Sequence, residues 1–540
     1  MSVLAYIGGG AQRFVFAASP FGQAINGFFS PSASQLNETV DQYLPPLPNG
    51  AWVVFTNFAL TTNGTGAATP APHEQYPGNT NTIDYAVTFT GVDGSGTRVD
   101  CLFADGKAST VIASDGFALL WVPPLPAGGW LRYSITTPSG GKRPQSRNIS
   151  YPTIGNGLGD QRKWKATFSA SEKTGGALTG TAIFGRGGYG GVFQLLVPWT
   201  GQASVVLFAD SLGQQDDDRD WYTSAAEHGM VGYIPRGLDS STNGAVGVGN
   251  FTNHGSVTLD FMETTTGYFY VRQAIIDYAR NVLNRGRMWP FTAIWSELGR
   301  NDLAGAALGL AGSPTDTAVF AAMQARMTSW WAWLQARYPG VPIVQNTITV
   351  KSNSSDGWTT IAGQTNREIG NSLDLVNAWL ATKPGPVSLV VDGASVVRAS
   401  DDGSGIPKWK VPAMAAAGGG TVTTAVTTST SASATGITFT AAAAPVVGNY
   451  LVIDAGTSNA ETISIVRLTD NGSGSYTAYG KAAANGANQN FTKAHAIGAA
   501  VSSSYSVDGL HMSDAMHRAM AEPVIAAKVN PPLTAGTLTA

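Results

Sequence analysis

Ser204-Val-Val-Leu-Phe-Ala-Asp-Ser-Leu-Gly-Gln214 joins an apolar run to a polar turn that holds a serine. It opens with a short, continuous apolar run, Ser204 to Phe208, the pattern of a strand buried on both faces. The run stops at Ala209-Asp210-Ser211, and a helix-like piece follows at about 218–228. A serine in that position sits at the carboxyl end of a strand, where open α/β sheets hold their ligands.

Reading on from there, strand and helix alternate. Met230-Val-Gly-Tyr-Ile234, Phe291-Thr-Ala-Ile-Trp295, Val341-Pro-Ile-Val344 and Val387-Ser-Leu-Val-Val391 read as further strands. Phe269–Arg280, Ala318–Tyr338 and Thr359–Leu380 read as helices between them. The alternation predicts a parallel sheet covered on both faces, a three-layer α/β/α core. Upstream, the texture is β. Trp52-Val-Val-Phe-Thr-Asn-Phe58, Ile83-Asp-Tyr-Ala-Val-Thr-Phe89 and Phe117-Ala-Leu-Leu-Trp-Val122 alternate with Gly, Pro, Asn and Asp turns, as in a sandwich. Downstream, residues 413–503 turn to Gly, Ala, Thr and Ser and contain no Trp, which predicts a small inserted β domain. The helical pattern returns at Ser513–Lys528. The expected organisation is an arm at 1–45, a β-rich accessory module at 46–200, the α/β core at 201–412, the insertion at 413–503 and the end of the core at 504–540.

Composition agrees and excludes other classes. A chain of 540 residues is too long for one ordinary core, and only 12% of it is charged. A net charge of −3 without a basic block speaks against nucleic-acid binding. No run reaches the ~18 apolar residues of a membrane span. The first ten residues lack a basic stretch followed by an apolar core, so no signal peptide is recognised and the compartment stays open. The single cysteine, Cys101, excludes a disulfide framework and a Cys-based zinc cluster, and reads as a buried, inert thiol.

Three segments carry candidate chemistry. Phe208-Ala-Asp-Ser-Leu-Gly-Gln214 offers Ser211. Leu298-Gly-Arg-Asn-Asp302 follows a strand on the same sheet edge. Val507-Asp-Gly-Leu-His-Met512 places Asp508 three residues before His511 with a glycine between. A tight turn there brings carboxylate to imidazole, the base and orienting group that a serine nucleophile requires.

Together these segments resemble the SGNH (GDSL-like) hydrolases. The family's block I is Gly-Asp-Ser-Leu, block III Gly-x-Asn-Asp and block V Asp-x-x-His. This chain has Ala209-Asp210-Ser211-Leu212, Gly299-Arg300-Asn301-Asp302 and Asp508-Gly509-Leu510-His511 in the same order. The resemblance implies that Ser211 is the nucleophile, His511 the general base and acid, and Asp508 its partner. It also implies an oxyanion hole made by the Ser211 N–H, the Asn301 amide and a block II glycine. Ala209 replaces the first glycine of block I. Block II has no clean signature; Gly237, just past the second expected strand, is the choice and Gly244 the reserve. No cofactor is implied. Family members with β modules often deacetylate carbohydrates, so the expected substrate is an acylated carbohydrate. A short-chain lipid ester is the alternative substrate, and a carbohydrate-binding or virion-surface scaffold is the non-enzymatic alternative.

Other signals have plainer readings. Gln215-Asp-Asp-Asp-Arg-Asp220 looks like a metal loop but lacks EF-hand spacing; it reads as an acidic helix start, with no metal expected. Gly185-Arg-Gly-Gly-Tyr-Gly190 matches GxGxxG, yet a strand-like segment ending in Pro198 follows, where a dinucleotide site needs a helix. Trp330, Trp331 and Trp333 read mainly as core, with one or two expected at an acyl or sugar pocket. Of the six histidines (His73, His228, His254, His495, His511 and His517), only His511 has an acidic neighbour in a turn.

Overall fold

The computed structural model describes residues 12–17, 24–60, 69–91, 95–146, 161–174, 176–182, 192–213, 232–304, 306–400, 404–426, 436–482 and 491–534. The acidic stretch 215–220, the GxGxxG at 185–190, the helix expected at 218–228 and His228 lie outside these residues.

The protein is a mixed α/β molecule with one parallel sheet, several antiparallel sheets and a closed barrel. Five strands make the parallel sheet, in the order Gly247–Asn250, Ser204–Phe208, Ala293–Ser296, Ile343–Asn346, Val387–Val391. Numbered along the chain this is 2-1-3-4-5, the doubly-wound order whose direction reverses between strands 1 and 3. The loops after Phe208 and Ser296 therefore open beside one another at the switch point. Helix Tyr233–Asp239 packs on the last helix, Asp514–Ala527, while Asp316–Arg337 packs on Ser372–Ala381 and Thr258–Met262.

Two elements differ from the sequence reading. The described part of the second expected strand is the start of helix Tyr233–Asp239. Pro235 is compatible with this because a first-turn residue has no intrahelical N–H bond to lose. The second sheet strand is instead Gly247–Asn250, hidden by its glycines. Those glycines are needed. A Cβ on Gly247 would lie 2.1 Å from Phe16 O, and one on Gly249 2.5 Å from the Phe16 ring. The helix expected over Thr359–Leu380 is shorter, Ser372–Ala381, because a hairpin of Ser352–Ser354 and Gln364–Asn366 precedes it.

Phe16 belongs to the segment read as an arm. Phe14–Ala17 is a strand paired with Val192–Pro198, and Asn37–Leu44 lies in the middle of a second sheet. The two antiparallel sheets enclose a core that includes Val40, Val53, Phe55, Leu120, Leu131 and Tyr133. Strand Ala51–Thr56 is buried on both faces. Val53 and Phe55 face that core, whereas Trp52 and Val54 join Phe14 and Phe16 in the cluster that fills the α/β unit. A buried ion pair and a buried histidine–carboxylate contact lie between the N-terminal β region and the α/β unit. Glu74 Oε1 meets Arg272 Nε at 3.0 Å, and its carboxylate accepts from the Val271 and Arg272 N–H groups, capping helix Tyr270–Tyr278. His73 Nε2 lies 3.0 Å from Asp260. Cys101 is buried in the sandwich, and burial pushes its thiol up to about 12.

The barrel comprises Gly420–Val422, Ile437–Ala441, Tyr450–Ile453, Glu461–Gly472, Ser475–Ala482 and Ala500–Ser504 around its own core of Phe439, Leu451, Ile463 and Val501. Its first and last strands pair, Gly420 opposite Val501, so the chain enters and leaves at neighbouring points.

Candidate active site

The turn Asp508-Gly-Leu-His511 is held by the Asp508 carboxylate and the Ser506 hydroxyl on the turn's own backbone. Asp508 Oδ1 accepts from the N–H groups of Leu510 and His511, both at 2.8 Å, leaving Oδ2 for His511 Nδ1 at 2.6 Å. Ser506 Oγ donates to His511 O and accepts from Gly509 N–H. Gly509 is obligatory. Its φ is +74°, and a Cβ would lie 1.8 Å from Ser352 O. Outside groups hold the turn in place: Gly509 O accepts from Ser352 N–H at 3.0 Å and from Trp409 Nε1 at 2.9 Å, and Arg367 donates to Asp508 O. Burial works to raise the Asp508 pKa. The hydrogen bond and charge of His511, with the two backbone N–H groups, outweigh it and hold the carboxyl down to about 2.

The other ring nitrogen, His511 Nε2, lies 2.9 Å from Ser211 Oγ. Ser211 sits just past strand Ser204–Phe208 and is 3% exposed, while the side chains of His511 and Asp508 are 14% and 44% exposed. An ionised acid, an imidazole and a hydroxyl thus form one hydrogen-bonded chain that opens to solvent at its acid end. Such a chain can take a proton from the serine and hold the resulting imidazolium against a carboxylate.

Asn301 follows strand Ala293–Ser296 and lies next to this chain. Its Nδ2 donates to Asp210 Oδ2 at 3.0 Å and to Ser256 O at 3.1 Å. The opposite amide orientation would set oxygen against two acceptors. Both amide hydrogens are therefore engaged, and an oxyanion would have to compete for one of them. Asp302 binds the start of an earlier helix. Its carboxylate takes the N–H and hydroxyl of Thr258 at the start of helix Thr258–Met262, and burial raises it to about 6 despite Thr258 and Arg326.

Gly237 is corrected by its place in the fold. It lies inside helix Tyr233–Asp239, where its N–H faces its own helix. A Cβ there would lie 2.6 Å from Val524, so the glycine permits close packing of the last helix. Gly244 is in an exposed turn and its N–H is spent on Ser241 O. The loop that does border the site is Asn253-His-Gly-Ser256, after the true second strand. Asn253 N–H donates to Ala209 O, Ser256 O takes Asn301, and His254 stacks on His511 with centroids 5.6 Å apart. Gly255 is buried with φ +75°, and no hydrogen bond of its N–H is seen among the described residues. Sequence reading missed this loop because its strand was mistaken; Asn-His-Gly-Ser after an apolar–glycine alternation was the available signal.

Trp330 and Trp331 are fully buried, with their N–H groups donating to Ser296 and Gln345, and Trp333 stacks on Trp330. All three are packing residues. His517 is buried near Tyr233, and His495 is clamped between Asp454 and Glu461 in the barrel.

No protein-family profile matches the sequence, and no curated protein does. Among solved structures, similarity is found to a family two carbohydrate esterase from Cellvibrio japonicus, at 12% identity and TM-score 0.21, covering 71% of this chain and 88% of that one. A Corynascus thermopiles carbohydrate esterase family 2 enzyme with a carbohydrate binding domain matches at 15% identity and TM-score 0.24, over 72% and 91%. Phospholipase A1 from Streptomyces albidoflavus NA297 matches at 16% identity and TM-score 0.23, over 36% and 81%.

Proposed function

We propose that this chain is an SGNH-type serine esterase, with a three-layer α/β/α core, that removes an acyl group, most simply acetyl, from a carbohydrate. One observation carries the reading: Ser211 Oγ, His511 and Asp508 form a continuous hydrogen-bonded chain at the switch point of a parallel sheet. In this reading His511 Nε2 takes the Ser211 proton as Oγ attacks the ester carbonyl. Asp508, ionised far below neutral pH, stabilises the imidazolium. The N–H groups of Ser211 and Gly255 receive the oxyanion. Asn301 adds the hydrogen now given to Ser256 O, since a charged acceptor is preferred to a neutral carbonyl. His511 then protonates the departing alcohol, and water repeats the sequence to free the acid and Ser211.

The carbohydrate preference is supported by the β modules joined to the core. Short-chain p-nitrophenyl esters and acetylated xylo- and cello-oligosaccharides test it. We expect release of acetate from an oligosaccharide, with acetyl preferred to longer acyl chains and activity absent in Ser211→Ala. Long-chain preference would favour a lipid ester instead. Inactivity on every ester would leave the site as a scaffold.

A further inference from the structure

We propose that Glu297 is a positioning residue that keeps its proton beneath the nucleophile and donates it to Asp210, fixing the carboxylate on which Ser211 and Asn301 both depend. Glu297 follows strand Ala293–Ser296 and is 4% exposed, and Asp210 is fully buried. Asp210 N–H donates to Glu297 Oε2 at 3.2 Å, which sets the two carboxyl groups against each other at the nucleophile turn. Asp210 Oδ1 accepts from Leu212 N–H at 2.9 Å, bridging the backbone across Ser211, and Oδ2 accepts from Asn301. One carboxylate therefore ties the nucleophile turn to the Asn301 amide.

Two buried carboxyl groups in contact cannot both ionise. The donors around them decide which stays neutral. Both Asp210 oxygens face N–H donors and must accept, which suits the ionised form. Glu297 is then the acid. Burial, followed by the Asp210 charge, pushes Glu297 well above the usual carboxylate range. Burial also raises Asp210, against the pull of Leu212 N–H and His511. Among the described residues, the other titratable and charged groups facing the pair are Arg300, Tyr233 and His511. Arg300 is committed to Thr349 O and Glu368, and Tyr233 Oη accepts from Asn346. The space is close-fitting: a Cβ on Gly213 would meet Ala209 Cβ at 2.3 Å.

The kinetic half of this proposal rests on the Ser211 esterase reading; the proton itself does not. Difference infrared spectroscopy of the full chain at neutral pH should show a buried carboxylic acid C=O band that Ser211→Ala retains and Glu297→Gln loses. Glu297→Gln keeps a donor of the same shape, so kcat should stay within roughly threefold of wild type, and activity lost at alkaline pH by wild type should persist. Glu297→Leu should lower kcat roughly ten- to a hundredfold with KM unchanged. Absence of the acid band, or a Gln variant as impaired as Leu, overturns the proposal. Inactivity of the wild type on all esters would instead overturn the esterase reading, with the band still deciding where the proton sits.

Discussion

Asp508 shows how much one residue's surroundings decide. Its folded pKa of about 2 lies below the ordinary carboxylate value, so its stabilisation of the His511 turn is complete above that ordinary value and lost only as pH falls toward 2. An acid limb in kcat/KM above about pH 4 must therefore come from another group, and a pH–rate profile should show it. Asp508→Asn should lower kcat by up to about 10⁴ with KM nearly unchanged, because the imidazole tautomer facing Ser211 would be wrong. Asn301→Ala should cost about 10²–10³ in kcat and still permit slow acylation, which burst kinetics would resolve. Retention of wild-type turnover by either variant would contradict these two roles. At this scale the meeting of Ser211, Asp508 and His511 was legible, since a glycine between acid and base three residues apart imposes a local turn. Glu297 was not. Its partner Asp210 is distant in sequence, and only strand pairing of Ser204–Phe208 with Ala293–Ser296 brings them together.

Elements determine which glycine serves which purpose. Gly237→Ala pushes a methyl into Val524 across two packed helices, so it should cost about 1–3 kcal/mol of stability while leaving kcat unchanged. Gly255→Ala strains a backbone at φ +75° in the loop that borders the site and, in the proposed oxyanion role, should lower kcat about 10²-fold or more. Thermal melts and kinetics on the pair separate the two, and the reverse pattern would contradict both assignments. A sequence shows that a residue is glycine but not whether φ is positive or a neighbour is close. That is why Gly237 was an attractive choice, and why Gly247 and Gly249 concealed a strand. The remaining four sheet strands were readable because they are apolar runs between turn residues.

Across the whole molecule, the sandwich and the α/β unit share side chains rather than a linker. Trp52, Val54 and Phe16 belong to the α/β cluster, and Arg272 is buried with Glu74 as its partner. Glu74→Ala leaves that guanidinium uncompensated and should cost about 3–5 kcal/mol, with both units melting in one calorimetric transition. A separate sandwich transition would show the junction to be weaker than its packing implies. The barrel is a different case, with its own core and adjacent ends. Replacing 420–504 by a short linker should leave the α/β unit folded, although contacts of Asn449 with Ser513 and of Gly448 with Ala515 are lost at the last helix. The β texture of both regions was visible in composition. The sharing of a core was not, because strand Ala51–Thr56 is apolar on both faces and nothing local says what lies on the second.

In the proposed reaction Ser211 becomes acylated. Incubating the full chain with an organophosphate that phosphorylates active serines, followed by peptide mass spectrometry, tests it directly. We expect a single stoichiometric adduct on Ser211, strongly slowed in His511→Ala and absent in Ser211→Ala. An adduct on another residue, or a Ser211 that stays unmodified while ester hydrolysis is blocked, would contradict it.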